Sequence, residues 1–219
     1  MTDELVRRLA EAKRRQEETG WSDPHAARIA SREVVAAERA LAAARGDQYA
    51  EVIDIGFQWD SGAPLPHLLA NGSRAFVVCY ATEPNPDWDG TYVRIVSPND
   101  EEPEVFGVIE FWRCASVRLG APNDEALHGH PLNDKGLEFY APHEVHNSQW
   151  LEEHIRINSV HSNHSDRPWR ELHHYFLAFH DEMFETLAAG VETRLIHGTL
   201  TPLLNELMKE LVEWPHRKA

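Results

Sequence analysis

A chain of 219 residues with 42% hydrophobic residues, 26% charged residues and seven tryptophans has the composition of a folded globular protein, large enough for one core and an appended arm. Its formal charge of −15 works against holding nucleic acid by phosphate neutralisation and suits a basic protein partner or a cationic substrate better. No stretch approaches the roughly 18 apolar residues of a membrane span, and the charged opening Met1-Thr2-Asp3-Glu4 has no apolar leader region behind it, so the expectation is a soluble, cytoplasmic protein that does not span a membrane.

Residues 1–46 read as a helical arm and residues 47–219 as a single α+β domain. Thr2 can cap a first helix that Gly20 ends. Ser22 and Pro24 restart a second, in which Ala30, Val34, Ala37, Leu41 and Ala44 keep a helical stripe up to Gly46. The first helix concentrates Arg7, Arg8, Lys13, Arg14 and Arg15 in an otherwise acidic protein: a solvated face, or a docking arm through which the chain pairs with itself.

From Val52 the pattern turns strand-like. Runs rich in β-branched and aromatic residues at Arg74–Tyr80, Thr91–Val96 and Val105–Leu119 are separated by turn clusters at Pro84-Asn85-Pro86, Asp89-Gly90 and Ser97-Pro98-Asn99-Asp100. Connections this short argue against a parallel arrangement and predict an antiparallel sheet or half-barrel, with a bulge or corner in the run containing Trp112 and Cys114. Cys79 and Cys114, the only cysteines, each sit in an apolar run and read as buried, reduced residues.

A loop-rich region follows from Gly120 to Pro142. Pro142 then leads an expected helix to about Asn158, with His143, Asn147, Trp150 and His154 on one side, and Ser165 and Pro168 begin a short helical turn. His174–Phe179 and Glu185–Ile196 read as a hairpin with His180-Asp181-Glu182 near its turn, although a helix over residues 169–189 fits the short apolar run as well. Thr201 and Pro202 open a last helix whose apolar face is Leu203, Leu204, Leu207, Met208 and Leu211.

Ten of the 14 histidines fall between His128 and His180, interleaved with Asp, Glu and Asn. Imidazole is the commonest protein metal ligand and titrates nearest neutral pH, so this run points to a metal or acid–base site. His128 and His130 form a His-x-His pair in the loop. The following residues do not continue as a cupin would, because Gly136 precedes Glu138. His143-Glu144-Val145-His146 places its histidines three apart, one short of the H-E-x-x-H zinc-protease helix. His161, His164 and Asp166 read as turn and cap residues. Phe179-His180-Asp181-Glu182-Met183-Phe184-Glu185 sets ionisable groups among aromatic ones, an arrangement that demands an ion, a partner or chemistry. No Asp follows Asp181 to complete an HD-type phosphohydrolase. A nucleophile elbow, a P-loop and a G-x-G-x-x-G turn are also absent from the sequence.

Three of these segments, H-G-H-P-L at His128–Leu132, H-E-V-x-N-S-x-W at His143–Trp150 and F-H-D-x-x-F-E at Phe179–Glu185, resemble a family of bacterial cytosolic proteins of unassigned activity. The likeness extends more loosely over Trp88–Asn123. It implies a bacterial, soluble origin and nothing about mechanism.

The sequence reading is therefore a metal-dependent enzyme acting on a small molecule. His128, His130, His174, His180 and Glu185 are the expected ligands of zinc, iron or manganese, and Asp181 or His143 would move a proton or orient a ligand. The alternative is a non-enzymatic, immunity- or antitoxin-like acidic protein that covers a basic partner.

Overall fold

The computed structural model describes residues 2–20, 22–82 and 102–213. The strand expected at Thr91–Val96 and the three turn clusters around it lie outside the described residues. Among the described residues the fold is α+β: two five-stranded antiparallel sheets, with a helical hairpin before them and a helix after them.

Helices α1 (Thr2–Thr19) and α2 (Pro24–Arg45) form a hairpin. Asp23, rather than Ser22, caps α2 by accepting from the backbone N–H groups of His25 and Ala26. Gly46 ends α2 in the left-handed conformation. Ala12 packs against Val34 and Ala37 between the two helices. Of the expected α2 stripe, Ala30, Val34, Ala37 and Leu41 are buried and Ala44 is exposed.

One sheet runs in the order β1 (Tyr49–Val52), β7 (Pro142–His146), β8 (His173–Ala178), β9 (Met183–Ala188), β6 (Ser116–Gly120). The other runs β10 (Gly190–Gly198), β5 (Glu104–Trp112), β4 (Arg74–Thr82), with β2 (Gln58–Trp59) and β3 (His67–Ala70) both on the free edge of β4. The sheets pack face to face through Val77, Cys79, Ile109 and Phe111 on one side and Tyr175, Leu177, Phe179 and Phe184 on the other. Helix α5 (Leu200–Val212) covers the outer face of the second sheet, setting Leu200, Leu203, Leu207 and Leu211 against Phe76, Val78, Phe106 and Val108. Each such leucine contributes about 1.5–3 kcal/mol of burial. Covered on both faces, β4 is buried from Arg74 to Tyr80, which is why its sequence is a continuous apolar run rather than an alternating one.

The corner expected near Trp112 and Cys114 is present. Arg113 adopts φ 53°, and the chain leaves β5 in one sheet to enter β6 in the other. The returning segment 185–196 crosses over too, so what reads as one strand is two. The last residues of β9 belong to the first sheet, and β10 begins at Gly190 opposite Trp112. A Cβ at Gly190 would lie 2.2 Å from the Trp112 ring, so only glycine fits there.

The expected helix from Pro142 is replaced by two elements. Residues 142–146 form β7, pinned between β1 and β8, and α3 (Gln149–Asn158) starts only after Asn147 at φ 51° and the cap residue Ser148. The short helix α4 (Arg167–Arg170) falls where Ser165 and Pro168 predict a helical turn. The described C-terminal helix begins one residue before Thr201, with Thr199 at its cap position. Its buried face is Leu200, Leu203, Leu207 and Leu211, while Met208 is exposed.

Candidate functional site

On the face of the first sheet turned away from the second, the cross-strand register lines up His143, Phe176, Glu185 and Arg118 in one row. Val145, His174, Leu187 and Ser116 form the next. The segment 124–137 covers one part of this face, laying Leu127 and Leu132 on Ala50, Val145, Phe176 and Ala178. Trp150 of α3 covers another, its ring edge-on to His174 at 5.2 Å. Glu185, His130 and Arg118 keep some exposure between the two covers.

His174 is the centre of the arrangement. Its Nδ1 is 2.8 Å from Ser148 Oγ and its Nε2 is 2.9 Å from Glu185 Oε2. Ser148 Oγ also accepts from the Leu151 N–H as the cap of α3, so the hydroxyl proton is free to be donated to Nδ1. In the neutral ring this fixes the tautomer: Nδ1 accepts from Ser148 and Nε2–H donates to the carboxylate. Burial pushes the Glu185 carboxyl up, but the hydrogen bond from His174 and the nearby positive charges, that of Arg118 and those that His174 and His130 carry when protonated, hold it below the ordinary glutamate value. The other carboxylate oxygen, Oε1, faces Arg118 Nη1 at 3.5 Å, and the guanidinium of Arg118 lies 3.9 Å over the Trp150 ring.

His130 completes the group. Its ring packs on Phe176 at 5.0 Å, and its Nδ1 accepts from the Leu132 N–H. Burial lowers its pKa, against the opposing pull of the Glu185 charge. It therefore presents a neutral imidazole toward Glu185 and His174 with the proton on Nε2.

The remaining expected site residues lie elsewhere. His143 is fully buried in β7, its Nε2 accepting from the Glu138 N–H. Desolvation drives its pKa down to about 4, only partly offset by backbone groups of Phe176 and Ala141. His128 is exposed, edge-on to Phe139. His180 and Asp181 sit beyond the end of β8, in the turn to β9. There His180 Nδ1 meets Asp181 Oδ1 at 2.9 Å and Nε2 lies 3.9 Å from Asp124. Asp124 accepts from the Tyr140 hydroxyl, and the Asp181 hydrogen bond raises the His180 pKa. His164 bonds Asp166 at 2.7 Å within its turn, as the sequence predicts.

The structure thus gathers His130, His174 and Glu185 from the five expected ligands and sends His128 and His180 to a separate patch. Both nitrogens of His174 are already committed to protein partners. Among the described residues no group of three or more His, Cys, Asp or Glu is arranged to hold a metal ion. Ser148 and Arg118 complete the site: Ser148 stands within the H-E-V-x-N-S-x-W segment, which assigns it no role, and Arg118 stands in none of the quoted motifs. Cys79 and Cys114 are buried free thiols whose pKa values burial pushes up to about 12 and about 11. Among the described residues no helix is long and apolar enough to cross a membrane.

Comparison with family models, with curated proteins and with solved structures returns no match.

Proposed function

We propose that the protein is an enzyme that performs acid–base chemistry on a small molecule at the open edge of the His174–Glu185 pair. The observation that carries this reading is the continuous chain Ser148–His174–Glu185, 2.8 and 2.9 Å long at its two links, ending on a partly exposed carboxylate beside a neutral histidine and an arginine. Such a chain orients the carboxylate and fixes where its neighbour's proton sits, as a general base requires. Glu185 Oε1, the oxygen that His174 leaves free, accepts a proton from the substrate or from a water molecule. His130 Nε2–H donates a hydrogen bond to the charge that develops, and Arg118 holds an anionic part of the substrate at the mouth. A zinc, iron or manganese ion held by His130, His174 and Glu185 together would require His174 to give up one of its partners, and the proposed chemistry uses the side chains as they stand.

The test is a thermal-shift screen of a metabolite library, followed by turnover assays on every hit, in wild type and in Glu185→Gln and His130→Ala. Ligands that stabilise wild type and are turned over by it, with turnover lost in both variants, support the reading. A library without a ligand sensitive to either substitution sinks it.

A second reading rests on the other patch. Phe139 and Tyr140 are each 39% exposed beside Asp124, Glu125 and Asp181, a combination of rings and carboxylates suited to lysine and arginine side chains of a basic protein partner. Salt-sensitive binding of an oligolysine peptide that is lost in Asp124→Asn/Tyr140→Ala supports it. Equal binding by wild type and variant ends it.

A further inference from the structure

The hairpin of α1 and α2 carries an outward groove that the enzyme reading leaves unused. A cavity of about 340 Å³ runs along the seam of the two helices, floored by Ala12, Ala36 and Ile29 and walled by Arg8, Arg15 and Arg32. Ile29 is 48% exposed. Arg15 meets Glu33 at 3.0 Å, whereas Arg8 and Arg32 have no ion-pair or hydrogen-bond partner among the described residues. The charge is also unevenly placed. Residues 1–45 hold nine of the 21 Lys and Arg but only eight of the 36 Asp and Glu, so the acid excess falls on the rest of the chain.

Helix α1 carries a charge pattern that matches this groove. Arg8 and Arg15 are seven residues apart and form one stripe, and Glu4 and Glu11, also seven apart, form a second. Each Glu precedes an Arg by four residues, which sets the stripes about 40° apart on the helix surface. All four side chains are exposed. When two copies of α1 are laid antiparallel about a dyad between Leu9 and Ala10, Arg8 stands opposite Glu11 of the second copy and Arg15 opposite its Glu4. The symmetry mates of both pairs form at the same time. One register therefore satisfies both pairs, which is the self-complementarity a two-fold contact requires. The alanines in the floor let a third helix approach closely, and the aliphatic stems of the arginines cover them.

We propose that this face is a self-association surface, occupied by α1 of a second copy of the chain in antiparallel register. The contact is small and its ion pairs are exposed, so the dimer is weak and salt-sensitive. The existing exposed pairs of Arg7 with Glu4 and of Arg15 with Glu33 exchange or share partners at little cost.

Sedimentation velocity of the full chain at about 0.1 mM tests the proposal, which commits to a dissociation constant of about 10 μM or tighter at low salt and so to a mostly dimeric chain at that concentration. Wild type is expected to sediment as a dimer at low salt and as a monomer at about 0.5 M salt, where screening is nearly complete. Arg8→Glu/Arg15→Glu and Glu4→Arg/Glu11→Arg are each expected to be monomeric at low salt while retaining wild-type circular dichroism. Their equimolar mixture should sediment as a dimer again. A monomeric wild type at low salt overturns the proposal. So does a dimer that persists in either variant, or a mixture of folded variants that stays monomeric.

Discussion

The hydrogen bond from His174 Nε2 to Glu185 Oε2 runs diagonally across two strands: His174 stands opposite Leu187 and Glu185 opposite Phe176, yet the two side chains meet at 2.9 Å. A diagonal pair is farther apart at the backbone than a direct one and is closed only by long side chains. His174 is 4% exposed, so its ring depends on this partner and on Ser148 for all its polar contacts. The same pair orients the carboxylate that we assign as the base, so stability and activity are coupled at one residue.

Replacing Glu185 separates the two roles. Glu185→Ala leaves the buried His174 N–H without an acceptor and is expected to cost about 1–3 kcal/mol. Glu185→Gln can still accept from Nε2 and should cost less than about 1 kcal/mol while abolishing proton transfer. The carboxyl is held below its ordinary value in the folded protein. Its stabilising contribution is therefore complete above about pH 4.3, the unfolded value, and is lost as the pH falls through the folded one. Urea unfolding at pH 7 and pH 3 checks this: the difference between wild type and Glu185→Ala should shrink in acid.

Ser148 acts on both α3 and the site. Ser148→Ala removes the cap on Leu151 N–H and the hydroxyl that holds Nδ1 of His174, with an expected loss of about 1–2 kcal/mol. It also frees the ring to exchange tautomers, which nitrogen chemical shifts of His174 would report. A Ser148→Ala protein with unchanged His174 shifts would show that the serine does not set the tautomer.

Much of the fold is legible in the sequence because local patterns and tertiary packing agree there. The continuous apolar run of β4, the helix ends at Gly20 and Gly46, and the turn at His180-Asp181-Glu182 are examples. The reading fails where long-range pairing decides. His143, Asn147, Trp150 and His154 have helical spacing, but pairing of β7 with β1 and β8 takes His143 into a strand and into the core. The break before Gly190 is set by the ring of Trp112, distant in sequence, against the glycine. At the site, Glu185 and His174 stand out as a histidine and a carboxylate near aromatic residues. Arg118 could be found only from its register opposite Glu185. Ser148 carried a local signal, a cap residue ahead of Gln149-Trp150-Leu151, that the helical periodicity from Pro142 obscured.

A buried ion pair ties the second sheet to α5. Arg74 donates from Nε and Nη2 to Glu110 Oε1 at 3.0 and 2.7 Å, and from Nη1 to the Glu210 carbonyl at 2.6 Å. Both side chains are buried. Arg74→Met strands the Glu110 carboxylate and is expected to cost about 3–5 kcal/mol, whereas Arg74→Met/Glu110→Leu should recover most of that loss. Chemical denaturation of the two variants decides it. A double variant as unstable as the single one would mean that the Glu210 carbonyl contact, and not the stranded charge, dominates.

His143 sets an acid limit on the fold. Its folded pKa of about 4 lies below the unfolded value of about 6.5. Unfolding therefore takes up a proton in the window between them, and the stability that depends on a neutral His143 is complete above about pH 6.5 and lost as the pH falls toward 4. The full effect is on the order of 3 kcal/mol. His143→Leu removes the titration but leaves the Glu138 N–H without its acceptor, a loss of about 1–3 kcal/mol at pH 7. The variant should thus be the less stable protein at neutral pH and close the gap steadily between pH 6.5 and 4. Parallel stability curves for the two proteins across that range would show that His143 titrates alike in the folded and unfolded chain.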